Sequence, residues 1–523
     1  MPTRNDLRWV PQGQGKHVAR LLPPELNVAI RGRKGAPAQS SLSSADGAVF
    51  VVDGTSPEKA LARLPDAALW LDLYRHARRT TGVLVLSARL PNRRHTLAAV
   101  AFAKPGRSGF ERLELARKLV SEALKPGVAK LCCHVDGLAA NEAGEWREAL
   151  VSAALAAAAP MPTHKAKAPP PCDLRTIEVF GARSADFDAA VAAAAGNHLA
   201  RWLTTLPPNE LHCVSYRRTL QQLARREGWS FRFYDESALA RLGAGAFLAV
   251  SQANSHRGAG IVRLGYRAPG RGKRARVGLV GKGICFDTGG INLKAHKGMY
   301  LMHGDMQGSA VAVGTLLACA RSGLGVDVDC WLALTENEIG PRAYRPQDIV
   351  RASNGVTIQV VHSDAEGRMV LADTLALASR EKPGLLLDFA TLTGACVNAL
   401  TDRYSGAFTN RLDLQARLQE VGSESGERVW CFPMDEDFDL ELECAVADVL
   451  QCTLESKGDH ILAARFLSKF VAAGLPWVHI DLAAAEHKGG LGHVPTEFTG
   501  FGVRYALRLL NDRSFMAQVG KQP

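Results

Sequence analysis

No stretch of about 18 uncharged apolar residues exists in the 523-residue chain, and the best candidate, 385–400, is interrupted by Asp388. A membrane-spanning helix is therefore not expected. The first residues, MPTRNDLRWVPQGQGK, lack the apolar core of a secretory signal. Both absences lead to the expectation of a cytoplasmic protein with no membrane partner. The eleven cysteines form no C-x-x-C pair, which argues against a zinc ribbon or a thioredoxin-like site. Cys285, Cys319, Cys330 and Cys396 lie in apolar stretches and read as reduced core thiols. Also missing are an H-E-x-x-H zinc helix, a G-x-S-x-G nucleophile elbow and a G-x-G-x-x-G dinucleotide loop. Lys282 in LVGKG is not a phosphate-loop lysine, because residue 276 is Arg and residue 283 is Gly. His460, His487 and His493 are scattered and read as polar surface or capping residues.

What remains is an ordinary globular composition, 47% apolar and 22% charged. The length exceeds what one core usually organises, so two domains are expected. The net charge of +11 admits a nucleic-acid partner. The basic residues are dispersed, however, and the one dense run, Arg271 to Arg276, lies between two strand-like segments and reads as a solvated turn. A DNA-binding or regulatory role for the basic first domain is kept as the alternative function.

Periodicity divides the chain into two α/β parts. Residues 1–181 carry strand-like runs at Ala48 to Asp53, Gly82 to Ala88 and Leu97 to Phe102, helical runs at Asp66 to Arg78 and Phe110 to Leu124, and a returning strand at Thr176 to Gly181. The Ala- and Pro-rich stretch 154–171 reads as a connector within this domain. A linking helix is expected over 182–205, followed by a larger domain over 206–523. There, buried strands at Arg276 to Ile284, Val326 to Leu334, Thr357 to His362, Leu385 to Phe389 and Trp477 to Leu482 alternate with helices at Gly308 to Arg321, Val370 to Arg380 and Ile461 to Ala473. That alternation predicts a mostly parallel sheet flanked by helices, with ligands at the carboxyl ends of its strands.

Three strand-to-loop junctions are rich in charge. VGLVGKGICFDTGGINLK brings Lys282, Asp287 and Lys294; MHGDMQGSA brings Asp305; VVHSDAEGRMVLAD brings Asp364, Glu366 and Arg368. In extended backbone, Asp364, Glu366 and Arg368 would point to one side. Acids gathered at the end of a buried strand are costly unless neutralised, and divalent cations are hard ions that suit carboxylate oxygens. Asp287, Asp305, Asp364 and Glu366 are enough for a pair of bridged metals activating a water. Lys282 must snorkel, pair with an acid or lose its proton and become a ligand; two nearby dications would lower its pKa. Lys294 would then remain cationic and stabilise negative charge on an attacked carbonyl. Taken singly, each has a structural explanation: Asp305 as an N-cap, Asp364 to Arg368 as a local ion pair, Lys282 paired with Asp287.

These junctions resemble the leucyl aminopeptidase (cytosol aminopeptidase) family. Its signature N-T-D-A-E-G-R-L appears as His362-Ser363-Asp364-Ala365-Glu366-Gly367-Arg368-Met369, and its V-G-K-G-I-x-F-D-T-G-G-x-x-x-K pattern is complete from Val280 to Lys294. LPPNEL (206–211), AYRPQD (343–348), ATLTGA (390–395) and WVHIDLA (477–483) extend the likeness over about residues 200 to 508. The resemblance implies a homohexameric enzyme that removes N-terminal residues from peptides with two divalent ions, zinc or manganese, with magnesium an option. It implies that Asp287 and Glu366 bridge the ions, that Asp364 completes the looser site, and that Lys282 and Asp305 complete the tighter one. It further implies that Lys294 polarises the carbonyl, that Arg368 holds a bicarbonate serving as general base, and that Met302, Thr391 and Leu392 line the pocket for the first side chain. His362, Ser363, Met369, Gln307 and Ser309 depart from the family pattern, none of them at an implied ligand.

Overall fold

The computed structural model describes residues 21–77, 85–168, 170–255, 257–270, 274–455 and 457–521. β1 (Ala29–Arg33), β2 (Gly47–Asp53), β3 (Val85–Arg89), β4 (Leu97–Ala103), β5 (Lys130–Asp136) and β6 (Thr176–Phe180) make one sheet in the order β1-β6-β5-β2-β4-β3. All neighbours are parallel except β3 with β4. Val49, Val51, Leu131 and Val135 face helices Gly109–Ala123 and Ala140–Ala158 in a single apolar cluster. Residues 82–84 and Arg78, part of the expected strand and helix here, lie outside the described residues.

The second half is built on β7 (Ser230–Asp235), β8 (Gly260–Tyr266), β9 (Arg276–Asp287), β10 (Asp327–Asn337), β11 (Ile349–Arg351), β12 (Thr357–Gln359), β13 (Leu385–Ala390), β14 (Ser405–Thr409), β15 (Val429–Cys431), β16 (Val449–Leu450) and β17 (Trp477–Asp481). Eight of these form a sheet in the order β15-β14-β17-β13-β9-β10-β8-β7. Its central strands β17, β13, β9 and β10 are mutually parallel, and β8 and β7 close one side antiparallel. The central strands are apolar with little alternation, as burial on both faces requires: β13 is buried at every residue. Helix Gln307–Arg321 lies close against the sheet because Gly308 has no side chain; a Cβ there would sit 2.1 Å from the Phe389 carbonyl oxygen. Gly308→Ala is expected to destabilise by about 1–3 kcal/mol through overpacking, and an unaltered melting temperature would refute this close fit.

Several sequence expectations need correction. The 154–171 connector begins too early: Ala154, Leu155, Ala156 and Ala158 are buried in helix Ala140–Ala158. Alanine is the strongest helix former, and the first proline after this run is Pro160. Strand 357–362 stops at Gln359 and belongs to a separate sheet, β11-β12-β16. His493 is buried, not superficial; burial, followed by the charges of Arg504 and Arg201, pushes its pKa well down. In the basic run, Arg276 pairs with Asp329 at 3.0 Å, while residues 271–273 lie outside the described residues. All eleven cysteines are free, including the buried Cys285, Cys319, Cys330 and Cys396. Among the described residues no helix is long and apolar enough to cross a membrane.

Candidate metal centre

The carboxyl ends of β9, β13 and β17 converge on a cavity of about 300 Å³. Such a location follows from the topology, since loops leaving parallel strands diverge there. Lys282, Asp287, Lys294, Asp305, Asp364, Glu366 and Arg368 line it, together with Met302, Thr391 and Leu392. The structure thus brings all ten expected residues to one cavity.

Lys282 is not at a strand end. β9 continues five residues beyond it to Asp287, and Lys282 is 3% exposed. Its Nζ lies 2.8 Å from Asp305 Oδ1, 2.9 Å from Glu366 Oε1 and 2.9 Å from the Thr391 carbonyl. Glu366 opens helix Glu366–Ser379, and Gly367 makes room for the lysine: a Cβ at 367 would fall 2.7 Å from Nζ. Lys294 Nζ sits 2.8 Å from Asp287 Oδ2 and 2.5 Å from Asp364 Oδ1.

Glu366 and Arg368 therefore do not share a face through extended alternation. Two helical steps rotate a side chain by about 200°, and the pair diverges: Glu366 faces Lys282, while Arg368 Nη2 donates to both oxygens of Asp459 at 2.8 Å. Arg368 Nη1 donates to the Gln451 carbonyl at 3.2 Å. Nor is Asp305 an N-cap; no side-chain cap bond is made at the start of helix Gln307–Arg321, and its Oδ1 accepts from the Thr391 hydroxyl at 2.8 Å.

Burial, reinforced by like charges, dominates the electrostatics. It pushes Asp305 up to about 8 against the opposing Lys282 and Asp364 up to about 6 with help from Asp287, and it raises Glu366. Burial alone would lower Lys282, but Asp305 and Glu366 outweigh it and raise the pKa. A neutral Lys282 ligand therefore requires the positive charge of the cations themselves. The donor set fits such ions. Ligand atoms of Asp287, Asp364 and Glu366 lie within 4.8 Å of one another, and Asp305 Oδ2 and Glu366 Oε2 are buried without a hydrogen-bond partner. Buried carboxylate oxygens left in this way are costly, and hard divalent cations satisfy them.

Five supporting residues were not identified from the sequence. Asn337, at the end of β10, donates to Asp287 Oδ1 at 2.8 Å and to the Ser363 carbonyl at 3.0 Å. Tyr344 donates to that same carbonyl at 2.7 Å. Asp481 accepts from the Leu392 amide and the Thr393 hydroxyl, shaping the loop after β13. Gln451 follows β16, which pairs with β12, and its side chain bonds Val361 N, His362 N and the Ala365 carbonyl. Asp459 is the fifth. Tyr344 and Asp481 fall inside AYRPQD and WVHIDLA; nothing local marks the others. Two departures from the family signature make local bonds: Ser363 Oγ donates to the Gly289 carbonyl and His362 Nδ1 accepts from Asp364 N.

A model of the cytosol aminopeptidase family catalytic domain matches residues 198–507. A probable cytosol aminopeptidase of Corynebacterium diphtheriae is 37% identical over 353 residues, covering 66% of this chain and 70% of its own. That of Streptomyces griseus is 38% identical over 348 residues, 65% and 67% of the two chains. Among solved structures, the bottromycin maturation enzyme BotP in complex with Mn superposes with TM-score 0.78 at 29% identity, over 90% of this chain and 100% of that one. A leucyl aminopeptidase from Leishmania major, solved with actinonin, superposes with TM-score 0.78 at 24% identity, over 93% and 95%, and so speaks to the fold. Because the family's catalytic domain matches more than half of this chain, the chain belongs to the cytosol aminopeptidase family and is a metal-dependent aminopeptidase.

Proposed function

We propose that Lys282, Asp287, Asp305, Asp364 and Glu366 hold two divalent ions, and that the chain uses them to remove the first residue of peptides. The observation that carries this reading is the gathering of Asp287, Asp364 and Glu366 within 4.8 Å at a cavity, beside buried carboxylate oxygens that lack protein partners. Bound ions supply Lewis acidity and a water acidic enough to attack near neutral pH. Asp287 and Glu366 are assigned as the bridging ligands. Lys294, at the more exposed side of the cluster, orients the scissile carbonyl and stabilises the oxyanion. Met302, Thr391 and Leu392 bound the pocket for the first side chain, and Thr391 also positions Asp305.

Zinc or manganese are the proposed ions, magnesium a weaker third. The proposed division is 1–181, a linking helix over 182–205, and a catalytic domain over 206–523, with the connector shortened to 159–171. A cytoplasmic homohexamer is the proposed form; exposed Leu293, Tyr300 and Ile339 offer apolar surface for association. Bicarbonate at Arg368 is not part of this reading, because the guanidinium fits it poorly: Asp459 already occupies Nη2.

Zinc or manganese at about 100 times its dissociation constant is expected to stabilise the chelated protein by about 2.7 kcal/mol, seen as a raised melting temperature with return of turnover on amino-acid p-nitroanilides. Neither ion raising the melting temperature nor supporting turnover would overturn the assignment.

A further inference from the structure

We infer that Asp459 takes the anion place at Arg368 that the family resemblance assigns to bicarbonate, so that this enzyme turns over without bicarbonate. The inference rests on the proposed two-metal reading. Arg368 is 3% exposed, and Nη2 donates to both oxygens of the Asp459 carboxylate at 2.8 Å. A carboxylate and a bicarbonate present the same feature to a guanidinium, two oxygens that share one negative charge on a planar carbon. Asp459 is held there by the backbone. It opens helix Asp459–Ser468 directly after Gly458, whose φ of 62° turns the chain into the helix, and the helix N-terminus favours a negative side chain.

The other terminal nitrogen is partly engaged as well, since Nη1 donates to the Gln451 carbonyl at 3.2 Å. The charge balance points the same way. One guanidinium faces one carboxylate, while the acids of the cluster are matched by the proposed ions. A bicarbonate added beside this pair would place a second anion on a buried cation that is already neutralised, which is unfavourable in a weakly screened interior. Asp459 acts through Arg368 and is a positioning residue.

The test measures kcat and KM of the metal-loaded enzyme in carbon-dioxide-free buffer with and without added sodium bicarbonate. The wild type is expected to show the same kcat, within about twofold, under both conditions. Asp459→Gly, which frees Nη2, should lose about 10- to 100-fold in kcat in bicarbonate-free buffer and regain roughly tenfold or more on adding bicarbonate or formate. A purely structural Asp459 would give a variant that neither anion restores. Bicarbonate activation of the wild type would overturn the inference while leaving the two-metal reading intact. A variant that responds to neither anion would also overturn it. Absence of wild-type turnover with every metal and substrate would remove both.

Discussion

Glu366→Gln is expected to abolish turnover while leaving the fold standing. Glutamine keeps the size of the side chain and an oxygen for Lys282, which Glu366 Oε1 now contacts at 2.9 Å. It replaces the other oxygen, buried and without a hydrogen-bond partner, by an NH₂ group that cannot ligate a cation. If that oxygen is a shared ligand, both ions weaken together. Loss of metal activation is worth several kcal/mol of barrier, so kcat/KM should fall by about 10³-fold or more. Metal analysis of the purified variant should find fewer than the two proposed ions per chain. Full metal content with unchanged turnover would defeat the bridging role. Asp287→Asn should act in the same direction but less completely at the structural level, because its Oδ1 can still accept from Gly289 N and Asn337 Nδ2.

Lys294→Ala should produce a different pattern. Its ammonium touches Asp287 and Asp364, and burial, which alone would lower its pKa, is outweighed chiefly by the charges of Asp287 and Glu366, which hold it above the ordinary lysine value. In the metal-loaded protein the ions compensate the same acids, so metal content should be spared. What disappears is the positive charge proposed to stabilise the developing oxyanion, a contribution of about 10²–10³ in kcat. A variant with normal kcat would remove Lys294 from the reaction. The metal-free variant gives an independent reading: without the lysine, Asp287 and Asp364 face each other unrelieved, and its melting temperature should fall below that of the metal-free parent.

The strand and helix runs of the second half were readable because buried parallel strands such as β13, LLLDFA, are apolar throughout, a pattern that leaves little choice of environment. The alanines at 154–158 resemble a connector in composition, but their short side chains let helix Ala140–Ala158 pack closely. At 364–368 both extended and helical backbone bring Asp364 and Glu366 to a junction, but only the helix that begins at Glu366 sends Arg368 away from Glu366 and toward Asp459.

By itself, the order of residues determined which groups gather at the cavity, because acids and lysines in and just after apolar strands have few other reasons to be there, and their spacing matches a specific family. Tertiary structure decided how those groups are paired. Lys282 meets Asp305 and Glu366 rather than Asp287, Asn337 and Gln451 brace the loops, and Asp459, 91 residues beyond Arg368, supplies its counter-charge. Such pairings depend on which strands lie side by side, and contacts between residues far apart in the chain leave no periodic or local trace in it.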